Sequence, residues 1–219
     1  MENSGTLNLT GQLGNDRSLL VLVLANLLTI VLAVVQQWDV YVLMWIYWGQ
    51  SVVIGYFNVH RILGLKKFSS SGFTINNKPV KRTAAGKRQT AVFFAMHYGI
   101  FHLGYMFFLI TTSGLQSGFP LFSVLVCIFA FYLNHRFSYR YNRERDSAGV
   151  PNIGNLMAFP YVRIIPMHLM IVIGGNFLGN TTVALIFFLS LKTAADVAMH
   201  VIEHAMARGD AKRARRRLP

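Results

Sequence analysis

Acidic residues are scarce in this chain: 8 Asp and Glu stand against 21 Lys and Arg in 219 residues, a formal net charge of +13. Charge of either sign is thin. Only 13% of residues are Asp, Glu, Lys or Arg, where a soluble domain carries about a quarter. There is one cysteine, Cys127, set in an apolar run. That excludes an intrachain disulfide and any cysteine-based metal cluster. The opening MENSGTLNLTGQLGND is polar and has no basic segment, so it does not read as a cleavable signal. Asn8-Leu9-Thr10 fits the glycosylation sequon but falls on the wrong side in the topology derived below. A soluble domain and an internal repeat are both missing.

What the chain has instead is apolar length. It is 53% hydrophobic, with a mean hydropathy of +0.42, and several runs approach the roughly 20 residues that span a bilayer. The expected fold is an all-α integral membrane protein, a six-helix transmembrane bundle. A polar segment, 1–17, precedes a membrane domain, 18–208, with spans at about 18–35, 40–63, 90–111, 121–139, 161–178 and 181–208. A basic tail, 209–219, follows. The second span opens on an aromatic belt of Tyr41, Trp45, Tyr47 and Trp48. The fifth carries Arg163 at its start, a kink at Pro166, and His168.

The basic residues gather between the apolar runs. Links one, three and five have no Lys or Arg, whereas link two (64–89), link four and the tail are loaded with them. Both termini and the basic links therefore read as cytoplasmic, with the chain in a cell's inner, plasma membrane. Such clusters meet anionic lipid headgroups, and the lipid bilayer rather than nucleic acid is the expected partner. Ser147–Pro160, rich in Gly, Pro and Asn, reads as a loop.

The last span is studded with ionisable residues. Lys192, Asp196, His200 and His204 recur every four residues with Glu203 between, all within an arc of roughly 120° on a helix. Such a stripe must face protein or water. On the second span Gln50, Asn58 and Arg61 lie within about 80°, and Gln50 and Asn58 are candidates to line the same cavity. Counting 1.5 Å per residue puts His97 roughly 10 Å deep and His168 at a similar depth, in the same inner half as Asp196, His200 and His204.

A shared depth for imidazoles and carboxylate points to a divalent metal, with zinc the ordinary choice for such ligands. The expected ligands are His97, His168, Asp196, His200 and His204. Glu203 is a possible general base toward a metal-bound water, and Lys192 is a partner for Asp196. His200-Val-Ile-Glu203-His204 also fits the short pattern His-x-x-Glu-His of some zinc proteases. His102 lies about 140° around its helix from His97, so both cannot face one site. This reading gives metal-assisted hydrolysis of a lipid or other membrane-embedded substrate. The alternatives are haem b held by imidazoles on facing helices, a proton- or ion-coupled transporter using Asp196, His200 and Lys192, and a scaffold without chemistry.

The segments VLMWIYWGQSVVIGYFNVHRIL, HYGIFHLGY and KTAADVAMHVIEH resemble a family of prokaryotic multi-pass membrane proteins known as a domain of unknown function. The resemblance runs from the second span onward and implies a six-helix bundle with interest in His97, Asp196 and His200. In that pattern an acidic residue often stands where this chain has Gln50. A looser similarity, of sites only, links the chain to the membrane hydrolase superfamily of alkaline ceramidases and progestin/adiponectin receptors. It implies zinc on His200 and His204 with His97, but here with six spans instead of seven and with Asp196 on the same helix as the pair.

Overall fold

A computed structural model describes residues 17–112, 119–173 and 181–215, and the side chains of His200, Glu203 and His204 lie outside that description. The chain is mostly helical. In order come α1 (Arg17–Val35), α2 (Val40–Gly64), a hairpin of β1 (Thr74–Ile75) and β2 (Lys78–Pro79), α3 (Ala84–Thr112) and α4 (Leu121–Ala148). Then follow α5 (Ile153–Ala158), a tighter 3-10 turn over Phe159–Arg163, α6 (Ile164–Leu169) and α7 (Thr182–Arg215).

Among the described residues four helical stretches are long and apolar enough to cross a membrane: Val40–Gly64, Ala84–Thr112, Ile153–Ile173 and Thr182–Met199. The apolar part of α4, Leu121–Leu133, is shorter. The exterior carries large apolar side chains that water would not tolerate in such numbers. Phe122 is 81% exposed, Phe107 70% and Ile100 65%.

Local chemistry sets the boundaries. Gln37 takes a left-handed φ of 53° that ends α1. Asp39 then caps α2, its carboxylate accepting from the amides of Tyr41 at 2.7 Å and Val42 at 3.3 Å. Asn76 and Asn77, both at positive φ, form the two-residue hairpin turn, because a tight turn matching strand twist needs that geometry at both positions.

Two helices start earlier than the hydropathy pattern suggests. The hydroxyl of Thr83 accepts from the Gly86 amide at 3.2 Å, so α3 begins at Ala84, six residues before Thr90. Gly86 is required there, because a Cβ would sit 2.1 Å from the carbonyl oxygen of Lys81. Asn152 likewise accepts from Gly154 and Asn155, and helix runs from Ile153 through part of the expected loop Ser147–Pro160.

α2 is the centre of the bundle. Its buried residues Val40, Met44, Tyr47, Ser51, Ile54, Asn58 and Ile62 repeat at three- and four-residue steps, one continuous face. Two glycines let neighbours come close on other sides. A Cβ on Gly49 would meet Ile128 of α4 at 2.2 Å, and one on Gly55 would meet the Tyr98 ring of α3 at 2.6 Å. α1 packs on α7, and the α5–α6 stretch lies against α7, α3 and α2.

At one end the 64–83 connection is an ordered cap. Ser69 donates its amide to the Pro151 carbonyl and accepts from the Ile153 amide, both at 2.9 Å. Asn152 Nδ2 donates to the Ser71 carbonyl at 3.0 Å, and Phe73 packs so closely on Gly154 that a Cβ there would come within 2.9 Å. Lys87 Nζ donates to the Leu65 carbonyl at 2.9 Å, closing the same end.

Candidate functional site

Polar side chains in an apolar bundle are rare enough to be informative wherever they meet. On α7, Lys192 Nζ donates to Asp196 Oδ2 at 2.8 Å and to Asn26 Oδ1 of α1 at 3.1 Å. The two charged side chains are 27% and 12% exposed, so the pair is largely withdrawn from solvent. The i, i+4 spacing dictates this contact. Asn26, the one strongly polar residue in the apolar body of α1, supplies its third member.

The core face of α2 adds three polar groups. Ser51 and Tyr98 of α3 share a hydrogen bond of 2.7 Å between hydroxyls, and the Tyr98 hydroxyl also reaches the Ser51 carbonyl at 3.1 Å. Tyr47 lies edge-on against Phe188 of α7, with centroids 5.6 Å apart. The Tyr47 hydroxyl and the Asn58 amide nitrogen are buried and have no hydrogen-bond partner among the described residues. A buried donor left unpaired costs about 1–3 kcal/mol, so each calls for an explanation.

Arg163 supplies the remaining charge. The sequence pattern places it at the start of the fifth span. With helix starting at Ile153 it stands ten residues inside instead, about 15 Å from that start. It closes the 3-10 turn, where the backbone changes pitch before α6. Arg163 is half-buried, on a turn that packs against α2 and α7. The two ion pairs among the described residues are Arg61–Asp146 and Lys192–Asp196, and Arg163 belongs to neither.

The histidines do not converge as their counted depths suggest. His97 is exposed, stacked on Phe93 and edge-on to Phe101, with Nδ1 2.8 Å from the Tyr161 hydroxyl. His168 is also exposed, and its Nδ1 lies 3.5 Å from the hydroxyl of Tyr105. Tyr105 is eight residues beyond His97 on one continuous helix, about 12 Å along its axis. His97 and His168 are therefore engaged by different tyrosines, and the two contacts involve positions about two turns apart on α3. Both helices start before the expected residues, α3 at Ala84 and the fifth at Ile153, so depths counted from Thr90 and Tyr161 do not hold. His102, set aside as facing elsewhere, is the buried imidazole of α3 and is held to the Tyr98 carbonyl at 2.8 Å.

Among the described residues no group of three His, Cys, Asp or Glu side chains is placed to hold a metal. Asp196 is occupied by Lys192. His200 and His204 continue its helix face, with side chains outside the described residues, as is that of Glu203. Gln50 is half-buried, and Asn58 is buried on the core face.

Four residues of the polar interior escaped the hydropathy pattern: Tyr47, Ser51, Tyr98 and Arg163. Tyr47 reads as part of an interfacial belt, but three- and four-residue spacing from Val40 to Ile62 was the available signal that it faces the core.

Residues 8–213 match DUF6498, a family of unknown function. No curated protein and no solved structure matches the chain.

Proposed function

The chain belongs to DUF6498, and we propose that it is a proton-coupled membrane carrier of six spans, with both termini cytoplasmic, in the inner membrane of a cell. Four stretches have the length and apolarity of spans. The other two would be α1, whose 19 residues reach about 28 Å, and α4. The basic groups Lys66, Lys67, Lys81, Arg82 and Arg88 gather at the capped end, which supports a cytoplasmic side in contact with anionic headgroups.

The observation that carries the function is the charged interior: the Lys192–Asp196 pair tied to Asn26, and an Arg163 that sits where the fifth span breaks its helical pitch. Broken helices and intramembrane ion pairs are how secondary carriers build a site at the middle of the bilayer. Asp196 can exchange its proton as Lys192 releases and recaptures it, so that charge movement accompanies substrate movement. His97 and His168 each face a tyrosine, Tyr161 and Tyr105, which favours the carrier over a hydrolase built on both.

The test is purified protein in proteoliposomes with a trapped pH-sensitive dye. An imposed gradient of phosphate, chloride or succinate should drive proton uptake in wild type and not in Asp196→Asn. Proton uptake no greater than in empty vesicles for every substrate, with the protein correctly folded, would remove the carrier reading.

A further inference from the structure

The exposed side of α4 changes character partway along. Phe122, Val126, Phe129 and Leu133 recur at four- and three-residue steps, and all four are exposed. The same steps continue through Arg136, Arg140 and Arg143, which are exposed as well. One face of one helix therefore passes directly from four apolar side chains to three guanidiniums. The three lie within an arc of roughly 60°. None of them is in an ion pair among the described residues. Glu144 is about 40° round from Arg140, and its side chain lies outside the description.

The change comes early for a helix that crosses a bilayer. The apolar part of α4, Leu121–Leu133, advances about 20 Å, against a hydrocarbon thickness of about 30 Å. Arg136 is fifteen residues from Leu121, about 22 Å, so it stands about 8 Å short of the far boundary. Tilt would shorten the advance further. Packing on α2 gives a similar depth. Ile128 lies against Gly49, and the Phe57 ring meets Tyr132, His135 and Tyr139 with centroids 5.4, 5.5 and 5.3 Å apart. The helices thus run parallel, with Arg136 near the level of Phe57. Leu63 of α2 is exposed six residues nearer the capped end, about 9 Å farther along. Arg136 therefore faces outward where its neighbour still presents apolar side chains.

A span shorter than the bilayer is accommodated by local thinning, by snorkelling or by association with another chain. A second copy has little to offer these cations, because acidic residues number 8 and Asp146 and Asp196 are already paired. Phosphates line the whole leaflet, and a guanidinium fork matches two of their oxygens.

We infer that Arg136, Arg140 and Arg143 form a ladder of sites for anionic phospholipid headgroups on the lipid-facing side of α4, reaching below the ordinary headgroup level. Arg143 is the entry. It lines a notch with Arg61, Tyr139 and Asp146, and Arg61 already holds that carboxylate. The rungs are about 4.5 and 6 Å apart along the axis, so one phosphate can contact two of them in turn. A zwitterionic headgroup would bring its own cation to a face that has no free carboxylate among the described residues, which selects lipids of net negative charge. Lys66 and Lys67 differ in lying past the end of α2. The ladder does not depend on the carrier reading.

The experiment is native mass spectrometry of the delipidated full chain in detergent, titrated with dioleoyl phosphatidylglycerol or dioleoyl phosphatidylcholine. Wild type should bind the phosphatidylglycerol at least about tenfold more tightly. Arg136→Gln/Arg140→Gln/Arg143→Gln should erase that preference. Lys66→Gln/Lys67→Gln/Lys81→Gln, which removes as much charge from the capped end, should keep it. Arg136→Gln alone should weaken phosphatidylglycerol binding about three- to tenfold with an unchanged Tm, which keeps the test open if the triple variant does not fold.

Equal binding of the two lipids by wild type, or a preference that survives loss of the three arginines, overturns the ladder. So does an equal fall in the lysine variant, which would make the preference a matter of total charge. Displacement of the lipid by excess inorganic phosphate would assign the arginines to a soluble anion instead. A dimer that forms in place of lipid binding and dissociates in the arginine variant would assign this face to a second copy.

Discussion

Asp146 near the end of α4 and Arg61 near the end of α2 make the bond whose removal can be worked out most fully. Arg61 donates from Nη2 to Asp146 Oδ1 at 2.8 Å and from Nε to Oδ2, a forked, charge-assisted pair between helices 85 residues apart. The side chains are 19% and 8% exposed, so the pair is neither a free surface bridge nor fully buried. An exposed bridge contributes about 0–1 kcal/mol, whereas stranding one member of a buried pair costs about 3–5 kcal/mol. Partial exposure of Arg61 puts Asp146→Ala between these, at about 2–3 kcal/mol of lost stability. Arg61→Met leaves the more deeply buried carboxylate stranded and should cost at least as much. The double variant Arg61→Met/Asp146→Ala strands neither, so its loss should fall short of the sum by about 1–2 kcal/mol. Equilibrium unfolding in mixed micelles of increasing SDS fraction, on all four proteins, gives the coupling directly. A coupling under about 0.5 kcal/mol would show that water screens the pair and that this bond does not fix α4 on α2.

Gly154→Ala should destabilise by about 1–3 kcal/mol through the clash with Phe73 and expose the 64–83 cap to protease, whereas a variant as resistant as wild type would mean the cap does not lean on α5. Asn152→Ala removes both the helix cap and the bond to the Ser71 carbonyl. A loss of about 1–2 kcal/mol is expected in the same micelle titration, and no loss would place the cap's anchor elsewhere. Elemental analysis and an absorption spectrum of purified protein should show neither stoichiometric zinc nor a Soret band. One zinc per chain that disappears in His200→Ala would instead restore a metal site on α7.

Much of the bundle was legible in composition and spacing. Apolar runs of span length gave the helices, and the i, i+4 rule gave the Lys192–Asp196 contact before any geometry. Polarity of single residues misled where helix ends were set by capping. Asn152 and Gly154 look like loop residues, yet the first caps α5 and the second makes room for Phe73. That displaced start moved Arg163 from the edge of its span to ten residues inside it. Burial of imidazoles was also hidden. His97 and His102 differ by an angle that a helical wheel supplies, but which of the two faces is inside depends on where α2 packs. Gly55 settles that by admitting the Tyr98 ring. Tyrosines carry the polar interior, and their aromatic bodies count as apolar in any hydropathy sum.

The carrier claim is met most directly by charge movement. Proteoliposomes adsorbed on a solid-supported membrane are given a rapid proton-concentration jump in the presence of phosphate, chloride or succinate, with wild type and Asp196→Asn prepared side by side. The account predicts a transient current in wild type, with at least one of these anions, that is absent in Asp196→Asn. Equal currents in the two proteins, or none above protein-free membranes in either, would contradict it.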